Sequence, residues 1–363
     1  MTDSFFKDSV NSLRPYKVSA FDIWSNNINY LKLDWNESTI PPTPMVSKAV
    51  TNLINNKSLN WYPPLLNEKL INLLADYCNV GVENVQYFSG SDSLHEYLIQ
   101  TCVAPDDTTL IISPTYDNFR VVVESYGSNI VNFNLQNDFI LKKRGLIEYL
   151  KEIQPKIVYI CNPNNPTGTV YPKDYCERLI NEFSKTLFIF DEAYYEFSGV
   201  TVSSLVSKYN NFIISRTFSK AFGLASFRIG YAIGPREIIE TINKVRNPKS
   251  ITHISQIAAI EALKDIDYML EFTKEVKKSR QLMEKFFEKN RINYISGKGN
   301  YIMIKADNFD KDEIINHLFK ENILVRDLGH LNQLSNYFRI TLGTLDQMTR
   351  VTESLNDYLK KKK

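Results

Sequence analysis

From about residue 85 to residue 234, short runs of β-branched and aromatic residues alternate with stretches whose apolar residues recur at helical spacing. The runs are TLIIS (109–113), NIVNFNL (129–135), KIVYIC (156–161), TLFIFD (186–191), FIIS (212–215) and RIGYAIG (228–234). Amphipathic helix candidates lie between several of them, near 91–103, 117–126, 144–154 and 172–184, and two more precede them near 44–56 and 66–78. Apolar strands alternating with helices predict an α/β fold with a mostly parallel sheet covered by helices on both faces. Ligands of such sheets sit beyond the carboxyl ends of the strands. The residues directly after each run are therefore the first candidates for chemistry.

After Arg246 the pattern changes. Helices near 252–264 and 267–290 lead into strand-like INYIS and NYIMIKA, a helix near 310–321, strand-like ILVRDL and YFRITLG, and a last helix near 345–361. That reads as a smaller α+β domain. Residues 1–40 are polar and weakly periodic, and Pro41-Pro42 follows them. The expected organisation is an N-terminal arm over 1–40, a large domain over 41–250 and a small C-terminal domain over 251–363.

Composition narrows the function more than the fold. A chain of 363 residues is long enough for two domains and a sizeable core without disulfides or metal. Hydrophobic residues at 43% and charged residues at 23% exclude global disorder. Lys+Arg minus Asp+Glu is 43 − 41 = +2, which argues against a nucleic-acid binder. Cys78, Cys102, Cys161 and Cys176 form no CxxC pair and read as small buried hydrophobes in a reducing compartment. No run of about 18 apolar residues could span a membrane, and MTDSFFKDSVNSLRPYK has no signal-peptide core. The expected location is cytoplasmic. The Lys360–Lys363 run reads as a solvated helix end.

No GxGxxG follows a strand, and GxxxxGK[ST], HExxH and GxSxG are all missing. Dinucleotide dehydrogenases, P-loop NTPases, zinc hydrolases and serine hydrolases lose support. The positive signal is an ordered series at strand exits. Gly90-Ser91-Asp92 stands before a helix, Tyr116 follows TLIISP, and Asn162-Pro163-Asn164-Asn165-Pro166-Thr167-Gly168 follows KIVYIC. Asp191-Glu192-Ala193-Tyr194 follows TLFIF, Thr217-Phe218-Ser219-Lys220 follows FIIS, Arg228 comes soon after, and Arg339 lies in YFRITLG.

In these residues the chain resembles fold-type-I pyridoxal-phosphate (PLP) enzymes, and most closely the histidinol-phosphate aminotransferase family. The likeness runs from about Leu31 to Leu345. It implies that the large domain binds PLP and that Lys220 is the amine that condenses with the cofactor aldehyde. A carboxylate against the pyridine nitrogen keeps that nitrogen protonated. Asp191 is the choice, because the family pattern places the first acid there; Glu192 could substitute, but strand alternation turns it to the other side. Tyr194 and Asn165 match the donors to the phenolic oxygen. Gly90 and Ser91 at a helix start, with Ser219 and Arg228, match the phosphate site. Asp92 belongs either to that site or to the helix cap. Tyr116 matches the aromatic that stacks on the ring. Tyr62, in NWYPP, matches a tyrosine reaching the partner's phosphate, which implies a homodimer with shared active sites. Arg339 and Arg326 match arginines that hold substrate anions.

Two segments depart from the family pattern. An N-E-N-P-Y-like stretch reads Asn36-Glu37-Ser38-Thr39, and a P-[FY]-N stretch reads Pro248-Lys249-Ser250. Both fall where the non-reacting half of the substrate should sit, so Lys249 and Asn36 join the substrate candidates. A cation in place of an aromatic wall favours a smaller or more anionic substrate than one bearing imidazole. The expected activity is transfer of an amino group from glutamate, or another amino acid, to a small phosphorylated ketone or aldehyde. The alternatives are a true histidinol-phosphate aminotransferase, a phospho-amino-acid decarboxylase and a non-catalytic PLP-binding regulator. The last would carry a DNA-binding module, for which the residues before Leu31 are too few.

Overall fold

A computed structural model describes residues 5–16, 29–56, 59–136, 138–331 and 333–361. Among them twelve strands divide into two sheets. They are β1 (Leu31–Leu33), β2 (Val85–Phe88), β3 (Thr108–Ser113), β4 (Asn129–Asn134), β5 (Ile157–Cys161), β6 (Leu187–Asp191), β7 (Phe212–Thr217), β8 (Gly230–Ile233), β9 (Asn293–Ser296), β10 (Tyr301–Lys305), β11 (Ile323–Asp327) and β12 (Tyr337–Thr341). The larger sheet has the order β2-β8-β7-β6-β5-β3-β4. Its strands β7, β6, β5, β3 and β4 run parallel, while β8 is antiparallel to both β7 and β2. The expected mostly parallel sheet is what forms.

Strand alternation divides the apolar residues between two cores. Val158, Ile160, Phe188, Phe190, Phe212 and Ile214 face one way, against helices α2 (Pro44–Asn56), α3 (Glu68–Cys78), α6 (Lys143–Ile153), α7 (Lys173–Glu182) and α10 (His253–Lys264). Ile157, Tyr159, Cys161, Ile189 and Ile213 face the other way, against α4 (Gly90–Cys102), α5 (Asp117–Ser125) and α9 (Arg236–Asn243). Sheets buried on both faces read as continuous apolar runs, which is why these strands stood out. Helix α9 was not anticipated, and a further four-residue turn, α8 (Tyr195–Ser198), follows Tyr194.

The smaller sheet has the order β1-β11-β12-β10-β9. Helices α11 (Ile266–Asn290), α12 (Lys311–Lys320) and α13 (Leu345–Lys361) bury Phe272, Val276, Ile314, Leu318, Val351 and Leu355 against it. Leu31–Leu33, expected to be part of an extended arm, instead pairs in parallel with Ile323–Val325 at the sheet edge. Earlier in the arm, α1 (Asp8–Asn11) packs on α5.

The two sheets meet at the 162–168 loop. Gly168 (φ +70°) and Gly297 approach so closely that neither has room for a Cβ. The Lys298 N–H donates to the Gly168 carbonyl at 2.9 Å, and the Tyr301 hydroxyl donates to that of Asn164 at 2.6 Å.

Candidate active site

The registers Cys161↔Asp191 and Asp191↔Ser215 bring the carboxyl ends of β5, β6 and β7 level. The loops that follow open together into a cavity of about 1320 Å³ between the two sheets. Its lining includes Ser91, Asp92, Tyr116, Asn165, Asp191, Tyr194, Ser219, Lys220, Arg228, Arg326 and Arg339. The strand-exit series is thus one site.

At one end lies an anion cradle. Gly90 takes φ +77° at the start of α4, and a Cβ there would stand 2.8 Å from Arg228 Nη2. Gly230 lets β8 press against the same turn, since its Cβ would lie 2.8 Å from Ser91 N. The N-terminus of α4 therefore sits beside Arg228, which donates to Ser219 Oγ at 3.4 Å and pairs with Asp92 at 3.3 Å. Backbone N–H groups, two serine hydroxyls and a guanidinium face one spot, a set that fits a phosphate. Asp92 also accepts from the Tyr116 hydroxyl at 3.0 Å.

The cavity floor carries Asp191, which is 3% exposed. Its Oδ1 accepts from Ala193 N–H at 3.1 Å and its Oδ2 from the Tyr159 hydroxyl at 2.6 Å. Glu192 is turned away, as alternation requires, and forms a buried ion pair with Arg216 at 2.8 Å. The Tyr194 hydroxyl accepts from Asn36 Nδ2 at 3.0 Å, which leaves its own proton free to point into the cavity. Burial raises its pKa, so it stays a donor.

Lys220 reaches the cavity with its Nζ 2.8 Å from the Trp35 carbonyl. Desolvation, partly opposed by Glu37 and reinforced by Arg339 and Lys32, brings its pKa down to about 8. Below that value the ammonium is inert; above it the amine is a nucleophile. Addition of a carbonyl compound to the apoprotein at Lys220 is therefore expected to rise with pH to a plateau with a midpoint near 8. A midpoint at the ordinary lysine value of about 10.4 would show that the site does not tune the amine.

Arg339, on β12, is 6% exposed and donates to Asn165 Oδ1 at 2.5 Å and to the Asp34 carbonyl at 2.7 Å. Its buried Nε has no hydrogen-bond partner among the described residues. Cross-strand register sets Arg326 opposite it, so two cations face the cavity. Asn36 does not line the cavity. With φ +58° it lies behind Tyr194 and gives its N–H to Thr341 Oγ1 at 3.0 Å.

Tyr62 and Lys249 do not line the cavity of their own chain either. Tyr62 is 77% exposed, and Lys249 Nζ sits 4.7 Å from its ring centroid. Sequence reasoning missed Tyr159, which only the pairing of β5 with β6 brings near Asp191, and Tyr16. The arm folds back so that Tyr16 lies edge-on to Tyr116, with ring centroids 6.1 Å apart, and lines the cavity. Nothing local in the sequence signals that return.

Among the described residues no group of His, Cys, Asp and Glu could hold a metal, and no helix is long and apolar enough to cross a membrane. The residues do fit PLP. An anion cradle, a buried carboxylate, two donors and a lysine whose pKa is brought down to about 8 surround one cavity.

Comparison with known proteins agrees. A dihydroxyacetone phosphate transaminase of Campylobacter jejuni is 41% identical over 359 residues, covering 97% of each chain. A histidinol-phosphate aminotransferase of Ruminiclostridium cellulolyticum is 32% identical over 98% of each. The crystal structure of histidinol-phosphate aminotransferase from Sinorhizobium meliloti, in complex with pyridoxal-5'-phosphate, superposes with a TM-score of 0.88 at 24% identity, covering 99% of each chain. The family model for class I and II aminotransferases matches residues 28–355. With its strand-exit residues gathered on a PLP-shaped site, the chain belongs to the class I and II aminotransferases and is a PLP-dependent aminotransferase.

Proposed function

We propose that this enzyme moves the amino group of glutamate to a small phosphorylated ketone of the dihydroxyacetone phosphate type. The observation that carries the reading is the 41% identity, over nearly the whole chain, to a dihydroxyacetone phosphate transaminase. The cations support it. Arg326 and Arg339 converge on one cavity, and the planar guanidinium fork suits a carboxylate or a phosphate.

When bound, PLP would supply an aldehyde for the donor amine and a cationic ring as electron sink. Lys220 would hold the cofactor through Nζ, and its amine, once released, would carry the proton at the donor Cα. Asp191 faces the ring nitrogen. Tyr194 and Asn165 Nδ2 donate to the phenolic oxygen; the Asn165 Oδ1 is already taken by Arg339. Gly90, Ser91, Ser219 and Arg228 would hold the phosphate, with Asp92 orienting Arg228 and Tyr116, and Tyr116 would pack against the ring. Arg339 binds the donor carboxylate, and Arg326 the acceptor phosphate. Asn36 positions Tyr194.

A second copy of the chain completes the site in this reading. Leu59, Trp61, Tyr62, Leu65 and Leu66 form an exposed apolar strip, and Lys249 travels with Tyr62. In a homodimer Tyr62 reaches the neighbour's phosphate and Lys249 adds charge to the neighbour's acceptor pocket. The two-domain division near residue 250 belongs to the same proposal, with β1 joined to the smaller sheet and α10 packed on the larger.

Competing acceptors test the reading. Dihydroxyacetone phosphate is expected to exceed imidazole-acetol phosphate in kcat/KM by tenfold or more, about 1.4 kcal/mol in transition-state terms. Lys249→Tyr is expected to narrow that gap. A tenfold preference for the imidazole substrate would make this an ordinary histidinol-phosphate aminotransferase.

A further inference from the structure

We propose that Tyr159 is a positioning residue that aims the Asp191 carboxylate at the cofactor ring. The inference rests on the assignment of Asp191 to the ring nitrogen made above, and it concerns a residue one strand away.

Tyr159 lies on β5, on the face shared with Cys161, and is fully buried. Phe119 stacks on its ring at 3.9 Å with an interplanar angle of 11°. His95 meets the ring edge-on at 5.7 Å, while the His95 Nε2 is held by Ser215 Oγ at 3.0 Å. These contacts leave the phenol no freedom to turn. The purely apolar role could be filled by phenylalanine, with no hydroxyl to desolvate. Instead the hydroxyl makes a 2.6 Å bond to Asp191 Oδ2, a length typical of an O–H donor on a charged acceptor.

An aspartate carboxyl turns on a broad, two-fold terminal torsion. Ala193 N–H alone pins only Oδ1. The Tyr159 hydroxyl pins the other oxygen, so the carboxylate plane and its remaining lone pairs have a fixed direction. Burial and the neighbouring Asp191 charge hold the phenol proton well beyond its usual range, so Tyr159 is a donor at every working pH. It touches neither cofactor nor substrate and acts only through Asp191.

The test is Tyr159→Phe in the holoenzyme, with ¹⁵N-labelled PLP to assign the low-field proton of the ring nitrogen. That resonance is expected to move upfield and broaden, because the carboxylate is no longer aimed. Titration of the apoprotein with PLP is expected to show about tenfold weaker binding, the scale of one lost hydrogen bond to a charged group. The kcat is expected to fall by a similar factor, with both KM values within twofold.

An unmoved resonance with unchanged PLP affinity overturns the proposal. So does a downfield move, which would mean that Tyr159 competes with the ring for Asp191. Asp191→Asn, run beside it, separates the layers. If Asp191→Asn loses the resonance and Tyr159→Phe keeps it, the Tyr159 inference alone fails. If Asp191→Asn keeps it, the Asp191 assignment fails and takes this inference with it. Should Tyr159→Phe fold poorly, 3-fluorotyrosine incorporated at position 159 keeps the ring and makes its hydroxyl more acidic. The same resonance must then shift, and an unmoved one overturns the proposal.

Discussion

Lys220→Ala is expected to abolish turnover, by about 10⁴-fold or more, while PLP still binds without a covalent bond. The size follows from removing two roles at once, the covalent anchor and the proton carrier, of which general acid–base transfer alone contributes about 10²–10⁴. Geometry singles this lysine out. Lys32 also lines the cavity, but its ammonium is bound by both Asp34 and Glu37. Lys220 Nζ donates to a backbone carbonyl and has no carboxylate bound to it among the described residues, and its surroundings bring its pKa to about 8. Noncovalent binding persists because the Gly90, Ser91, Ser219 and Arg228 cradle is untouched. Borohydride reduction of the wild-type holoenzyme followed by peptide mapping checks the assignment. A tag on any other lysine refutes it.

Asp191→Asn is the second large effect. It is expected to lower kcat by about 10²–10³, the scale seen when one preorganised electrostatic contact is removed. An amide is nearly isosteric with the carboxylate: its oxygen can still accept from Ala193 N–H while its NH2 donates to the Tyr159 hydroxyl, so the fold should stand. What it lacks is the charge that holds a proton on the ring nitrogen. Bound PLP and kcat, measured on the same preparation, check this. Near-normal turnover with full cofactor content would remove Asp191 from its assigned role.

The periodicities of the chain were informative where structure is local. Helix α2 and helix α13 fall at the ends the pattern suggests, and β5 and β6 differ by one residue. Alternation puts Asp191 and Glu192 on opposite sides, the family resemblance chooses the first, and the buried Glu192–Arg216 pair shows where the second goes. Helix α9 escaped because eight residues give barely two turns of pattern. Strand β1 escaped because three residues have no measurable period, and only pairing with β11 makes them a strand.

The site was legible to the same extent. Residues at strand exits need only the direction of a parallel sheet, so Asp191, Asn165, Ser219 and Lys220 could be placed together. Tyr159 needs the register between β5 and β6, which no single strand encodes. Tyr16 needs the arm to fold back over α5. Asn36 was read as a substrate contact, yet its positive φ turns the side chain onto Tyr194. The sequence makes Lys249 a substrate candidate, yet it stands on the surface with Tyr62. Each of these depends on contacts between segments far apart in sequence.

The central claim is transfer of an amino group to a small phosphorylated ketone, and one experiment meets it directly. The purified holoenzyme is mixed with glutamate under single-turnover conditions, and the cofactor absorbance is followed until the yellow form has converted to the pyridoxamine form. Glutamate and its keto acid are then removed, and dihydroxyacetone phosphate is added. The yellow band is expected to return in full, with one equivalent of a phosphorylated amine formed per site. Failure of glutamate to convert the band, or of the phosphorylated ketone to restore it where imidazole-acetol phosphate does, would contradict the account.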